Sequence, residues 1–112
     1  MTPSDPASAL SQYRLKFVPD ALAEWESLDG SIKNILRKLL KKRLERPHVP
    51  GSRLHGDLHH CYKIKLKKQG FRLVYTVEDD VMVVLVLAVD KREDLAAYPA
   101  AIDRILAGKL VS

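Results

Sequence analysis

From Tyr13 to Phe17 the chain alternates. Tyr13, Leu15 and Phe17 are apolar, Arg14 and Lys16 are charged, and this two-residue period marks a half-buried strand. Pro19-Asp20 changes the period. Leu22, Trp25 and Leu28 then recur at helical spacing until Asp29-Gly30 interrupts them. A second helix is expected from a Ser31 cap to about Arg46. Its apolar stripe is Ile32, Ile35, Leu36, Leu39, Leu40 and Leu44, and Lys33, Arg37, Lys38, Lys41, Lys42 and Arg46 cover the rest. Pro47 and Pro50 close it, so the two helices form a hairpin.

A polar connection containing Gly51 and Gly56 leads to three closely spaced strand signals, His60 to Leu66, Gly70 to Glu78, and Val81 to Asp90. Lys67-Lys68-Gln69 and Asp79-Asp80 separate them as turns, which predicts an antiparallel meander. The run VMVVLVLAV is apolar at both parities, as a central strand covered on both faces requires. A last helix carries Ile102, Ile105 and Leu106. The order β-αα-βββ-α predicts an α+β fold, a small, mainly antiparallel sheet with an N-terminal helical hairpin and a C-terminal helix packed on it.

Composition narrows the class. The 112 residues suffice for one domain. It is expected over 13–107, between a Pro-, Ser- and Ala-rich disordered leader at 1–12 and a tail at 108–112. The leader lacks a charged start and a long apolar stretch, so it does not read as a signal peptide. The longest apolar run is about half the length of a membrane-crossing helix, so no membrane partner is expected. The single cysteine, Cys61, allows no internal disulfide, and a cytoplasmic location is expected. Nineteen Lys and Arg against fourteen Asp and Glu give a formal charge of +5 and favour a polyanionic partner.

The charge concentrates in CYKIKLKKQGFRLVY. Cys61, Lys63 and Lys65 share one strand face, Tyr62, Ile64 and Leu66 the other. A turn centred on Lys68 and Gln69 puts Leu66 opposite Phe71 and Lys65 opposite Arg72. Lys63, Lys65 and Arg72 then crowd one face of one hairpin, where like charges repel. No carboxylate lies between Cys61 and Val77 to offset them. A solvated, aggregation-blocking sheet face would account for the lysines alone. Beyond the central strand, however, KREDLAAYP adds Arg92 just past its end and Tyr98 before Pro99. Tyr98 is biased away from helix and Pro99 is a good first helical residue, which puts Tyr98 at a helix mouth. A tyrosine beside clustered cations suits base stacking, and a core anchor is the competing role. Lys67 and Lys68 in the turn extend the same surface toward RNA. His48, His55, His59 and His60 lack the spacing of a zinc site, and nothing around Cys61 suggests a catalytic thiol. Neither metal nor cofactor is expected.

In the opening FVPDALAEWESLD, the strands CYKIKL and GFRLVY, and KRE with a tyrosine six residues after its arginine, the sequence closely resembles the RelE toxins of the RelE/ParE superfamily. The resemblance spans Tyr13 to Leu106, and the leader before it is the one departure. It implies a toxin of a type II toxin–antitoxin system that cleaves mRNA in the ribosomal A site. It implies inhibition by a cognate RelB-like antitoxin, through which the complex binds its own operator. The family's basic catalytic set falls on Lys63 and Lys65, on Arg72, on Arg92, and on Tyr98 as stacking tyrosine. In the implied reaction a ribose 2′-oxygen attacks the adjacent phosphate. Lys65 would be the base, because clustered cations depress one another's pKa. Arg92 would be the acid or leaving-group stabiliser, and Lys63 and Arg72 phosphate clamps. Two alternatives stay open, a ParE-like toxin that poisons gyrase without nuclease chemistry, and a non-catalytic RNA- or partner-binding module.

Overall fold

A computed structural model of the chain describes residues 12–91 and 97–111. Strand β1 is Arg14–Phe17, helix α1 Pro19–Glu26 and helix α2 Gly30–Glu45. Strands β2, β3 and β4 are Cys61–Leu66, Phe71–Glu78 and Val83–Lys91, and helix α3 is Ala97–Val111. The expected α+β order is the observed one. Most of the expected leader lies outside the described residues. Among the described residues no helix is long and apolar enough to cross a membrane.

Local chemistry moves several boundaries. Helix α2 is capped by Asp29, not by Ser31. The backbone of Asp29 is extended, and its carboxylate accepts the Ser31 amide at 3.2 Å. Asp79–Val81 form a 3₁₀ turn ending at Met82, whose φ of 55° is left-handed. That reversal delays β4 to Val83, two residues beyond the expected start at Val81.

The sheet runs β1-β4-β3-β2. The β2–β3 and β3–β4 pairs are antiparallel, and β1 joins β4 in parallel. Strand β4 is therefore internal, as its apolar run requires. The two sheet faces carry separate cores. On one, Tyr62, Ile64, Leu66, Leu73, Tyr75, Val84, Val86 and Val89 pack against Ala21 and Trp25 of α1 and Leu36 and Leu40 of α2. On the other, Cys61, Val74, Leu87 and Ala88 meet Ala101 of α3 and Leu54 and Leu58 of the β2 approach. The helical hairpin and the C-terminal helix thus sandwich the sheet, and β4 is buried by both.

Tyr75 fastens the hairpin side. Its side chain is fully buried. Its hydroxyl donates to the Pro47 carbonyl at 2.8 Å and accepts from Arg43 Nη1 at 2.8 Å. The Arg43 guanidinium also lies 5.7 Å from the Tyr75 ring centroid. Removing the hydroxyl strands a buried carbonyl and a half-buried cation, so Tyr75→Phe is expected to cost about 1–3 kcal/mol. Urea unfolding measures this directly, and an unchanged midpoint would contradict the anchoring role.

Candidate active site

The β2–β3 turn builds the cationic face. Gly70 takes a φ of 76°, and its amide bonds to the Leu66 carbonyl at 2.8 Å. A residue with a Cβ is disfavoured in that left-handed conformation. The turn sets Leu66 opposite Phe71 and Lys65 opposite Arg72, the pairing expected from the sequence. Lys67 and Lys68 sit exposed within it. Pleating turns Tyr62, Ile64 and Leu66 into the hairpin-side core. It turns Lys63, half-buried, and Lys65, exposed, toward the α3 side.

Arg72 points the same way, but unlike the lysines it is buried, with 7% of its surface exposed. It follows from the neighbours. Val74, two residues along the same face, lies fully buried in the α3-side core that Tyr98 also touches. Tyr98 lies in the first turn of α3, with its ring centroid 4.4 Å from Arg72 Cζ. The ring occupies a helix start, not the residue before one, because α3 begins at Ala97 and the first turn tolerates Pro99. Its ring is half-buried, so it serves the core and the cationic face together.

The electrostatics of Arg72 are unusual for a folded interior. Its Nε and Nη1 are buried without a hydrogen-bond partner among the described residues. Buried guanidinium nitrogens normally find acceptors, and each one left without costs about 1–3 kcal/mol. The contact with the Tyr98 face returns up to about 2 kcal/mol when desolvated. A carboxylate does stand in register. Asp90 of β4 is the cross-strand partner of Arg72, a neighbour that the local stretch of sequence does not contain. Its Oδ1 instead accepts the Lys91 amide at 2.7 Å. No Asp90–Arg72 ion pair forms among the described residues. The arrangement can receive an anion, with a cation already desolvated, two donors unused, lysines beside it and an aromatic face over it.

Of the expected residues, the structure brings together Lys63, Lys65, Arg72 and Tyr98 on one sheet face. Arg92 lies outside the described residues. Cys61 is buried, and burial pushes its thiol up to about 11, so it is protonated and unreactive at neutral pH. Sequence reasoning passed over Arg43. It falls on the apolar stripe of α2, seven residues after Leu36 and three after Leu40, and that spacing was the available signal. Besides Tyr75 it holds Ser52 Oγ at 3.1 Å and the Lys63 carbonyl at 3.4 Å, and so fixes the outer edge of β2.

A family model described as the ParE toxin of the type II toxin–antitoxin system parDE matches residues 15–96. The chain belongs to the RelE/ParE toxin family. It is 44% identical to the mRNA interferase toxin RelE of Escherichia coli strain K12, over 84% of this chain and 98% of that protein. The structure of a doubly Arg-to-Ala substituted E. coli RelE toxin in the free state aligns with a TM-score of 0.77 and 41% identity, covering 84% of this chain and 98% of that one. The toxin in the intact E. coli RelBE toxin–antitoxin complex aligns at 0.68 with 43% identity, covering 70% and 95%. These relatives make the chain a RelE-type toxin, and the α+β fold is theirs.

An Arg72 kept for an anion should contribute little to the stability of this toxin. Arg72→Met removes a desolvation penalty of about 1–3 kcal/mol for each of two donors and loses a Tyr98 contact of at most about 2 kcal/mol. Chemical denaturation of this variant should therefore give a free energy no more than about 1 kcal/mol below the parent's. Leu73→Ala, at a fully buried neighbour, should lose about 2–5 kcal/mol. A loss above about 2 kcal/mol for Arg72→Met would mean that Arg72 is a structural residue.

Proposed function

We propose that this toxin is a ribosome-dependent endoribonuclease that cuts mRNA in the A site and is silenced by a RelB-like antitoxin. The observation that carries the reading is the buried Arg72, two of its donors without an acceptor among the described residues, beneath Tyr98 and beside Lys63 and Lys65. Negative charge on the phosphate oxygens of a reacting RNA would supply the missing acceptors. The 2′-hydroxyl gives its proton to Lys65 as the 2′-oxygen bonds to phosphorus. The bond from phosphorus to the 5′-oxygen breaks, and the departing oxygen, its charge stabilised by Arg92, takes a proton from water. Arginine as a literal acid is disfavoured by its high pKa, so charge stabilisation is the better assignment. Arg72 and Lys63 hold the non-bridging oxygens as charge builds on them.

Tyr98 gives one face to Arg72 and the other to the base at the cut, which splays the nucleotide. Lys67 and Lys68 add contacts to the flanking phosphates. Side-chain cations supply the charge that a metal supplies in other nucleases, so the scheme is metal-independent.

The E. coli relative's name, mRNA interferase, supports the substrate, and the RelBE complex supports an antitoxin partner. An acidic segment that folds on binding would complement the +5 charge. It could silence the toxin by displacing α3 and drawing Tyr98 off Arg72, while its bulk kept the complex out of the A site. Through its own DNA-binding part the antitoxin would carry the complex to the operator.

Two measurements test the reading. The double variant Lys65→Ala, Arg92→Ala should lose growth inhibition and mRNA cutting while keeping its circular dichroism. Full cleavage by that folded double variant would remove the assigned chemistry. Gyrase-linked DNA breaks in place of codon-phased mRNA 5′ ends would favour the ParE-like alternative.

The second concerns the ribosome. A cluster of cations does not by itself hold a flexible RNA in line, and that orientation is worth several orders of magnitude in rate. The purified toxin should therefore cut free mRNA slowly and ribosome-bound mRNA fast. Equal rates on the two substrates would identify a stand-alone ribonuclease.

A further inference from the structure

Helix α3 brings Tyr98 to Arg72, yet its own grip on the sheet is narrow. Among the described residues, Ala101 is its fully buried one, Tyr98, Ile102 and Ile105 are partly buried, and Leu106 is 51% exposed. Among the described residues, Arg104 is the α3 side chain that hydrogen-bonds outside the helix. Its partners are unusual. Arg104 Nη1 and Nη2 donate to the two carboxylate oxygens of Glu24 in α1, each at 3.0 Å. Arg104 Nη1 also donates to the Leu87 carbonyl at 2.5 Å, and Glu24 Oε1 accepts the Val89 amide at 3.0 Å. The Arg104 and Glu24 side chains are 17% and 29% exposed.

The location explains this density of contacts. Strand β1 pairs with β4 over Val83 to Val86 and then ends. Beyond that point the outer edge of β4 has lost its neighbour, and the β3–β4 register shifts between Val74 and Tyr75, with Leu87 as the additional residue. Leu87 would present a bare carbonyl there and Val89 a bare amide. The Glu24–Arg104 pair takes the place of the absent strand, with the carboxylate accepting from one residue and the guanidinium donating to the other. It thereby joins three parts, α1, the far half of β4 and α3. Two of these lead to the site, because β4 ends one residue before Arg92 and α3 carries Tyr98 in its first turn.

We propose that Glu24 and Arg104 are positioning residues of the nuclease, a bidentate latch that seats α3 on the β4 edge and so holds the Tyr98 ring over Arg72. The proposal rests on the nuclease reading given above. Among the described residues, the hydrogen bonds and ion pairs of Glu24 and Arg104 do not include Lys63 or Arg72. Their effect on catalysis therefore passes through Tyr98. A ring misplaced by about an ångström can lower a rate by up to about a hundredfold.

A double-mutant cycle with two readouts tests the latch. Glu24→Gln keeps an acceptor for the Val89 amide and removes the charge and half of the fork with Arg104. On ribosome-bound mRNA it should slow single-turnover cleavage by roughly ten- to a hundredfold. In a Tyr98→Ala background it should slow the remaining cleavage by less than about twofold, because the group it positions is gone. Amide hydrogen exchange of α3 should rise in both backgrounds. Arg104→Lys, which keeps the charge but not the fork, should give a smaller loss with the same dependence on Tyr98, and it reads the same contrast should Glu24→Gln fail to fold. Equal slowing with and without Tyr98 would overturn the latch, since that is what a general loss of stability does. Unchanged exchange of α3 would overturn it as well. Absence of any cleavage by the parent toxin would overturn the nuclease reading instead, a result distinct from both.

Discussion

A guanidinium buried beneath an aromatic ring, two of its nitrogens without acceptors among the described residues, organises this molecule. Arg72 cannot be moved to solvent without breaking β3, because its neighbours Leu73 and Val74 fill the cores on opposite faces of the sheet. The other groups are disposed around it. The glycine turn at Gly70 brings Lys65 across from it, the pleat adds Lys63, and α3 lays Tyr98 over it. Like charges gathered in this way oppose folding, and the two cores of the sandwich offset the cost. A site of this kind is held ready for the developing charge of a reaction without rearranging to meet it.

The sandwich also divides the labour between its faces. The α1–α2 side is a conventional apolar core closed by the Tyr75 hydroxyl and Arg43. The α3 side has the smaller buried cluster and carries the proposed chemistry. Helix α3 carries Tyr98. An inhibitor that binds in place of α3 would dismantle the site without competing for the cations, which is the mode of silencing proposed for the antitoxin.

Much of this was legible from local sequence. Two-residue alternation in CYKIKL and a short glycine turn suffice to pair Lys65 with Arg72, because both depend on contacts a few residues apart. The apolar run of β4 announced a central strand for the same reason. What local reading misses depends on distant contacts. The burial of Arg72 follows from where α3 lands, and the local sequence, which places it in the cationic face of the hairpin, carries no sign of that burial. Asp90 stands across from Arg72 by a register that contains a shift. Glu24 and Arg104 lie 80 residues apart, and each taken alone looks like an ordinary surface charge on an amphipathic helix. The cap of α2 at Asp29 instead of Ser31 is a smaller case, in which two good capping residues compete and the backbone of the first is the extended one.

The Arg72 donors that lack an acceptor among the described residues are proposed to await RNA phosphate. Arginine-detected NMR of the free toxin, titrated with a short oligoribonucleotide blocked by 2′-O-methylation at the cut, observes those donors directly. The account predicts that the Arg72 Nε–H resonance shifts, together with the Tyr98 ring signals, at a lower RNA concentration than any resonance of the basic α2 surface. An Arg72 Nε–H that stays unmoved while the lysines of α2 respond would contradict it.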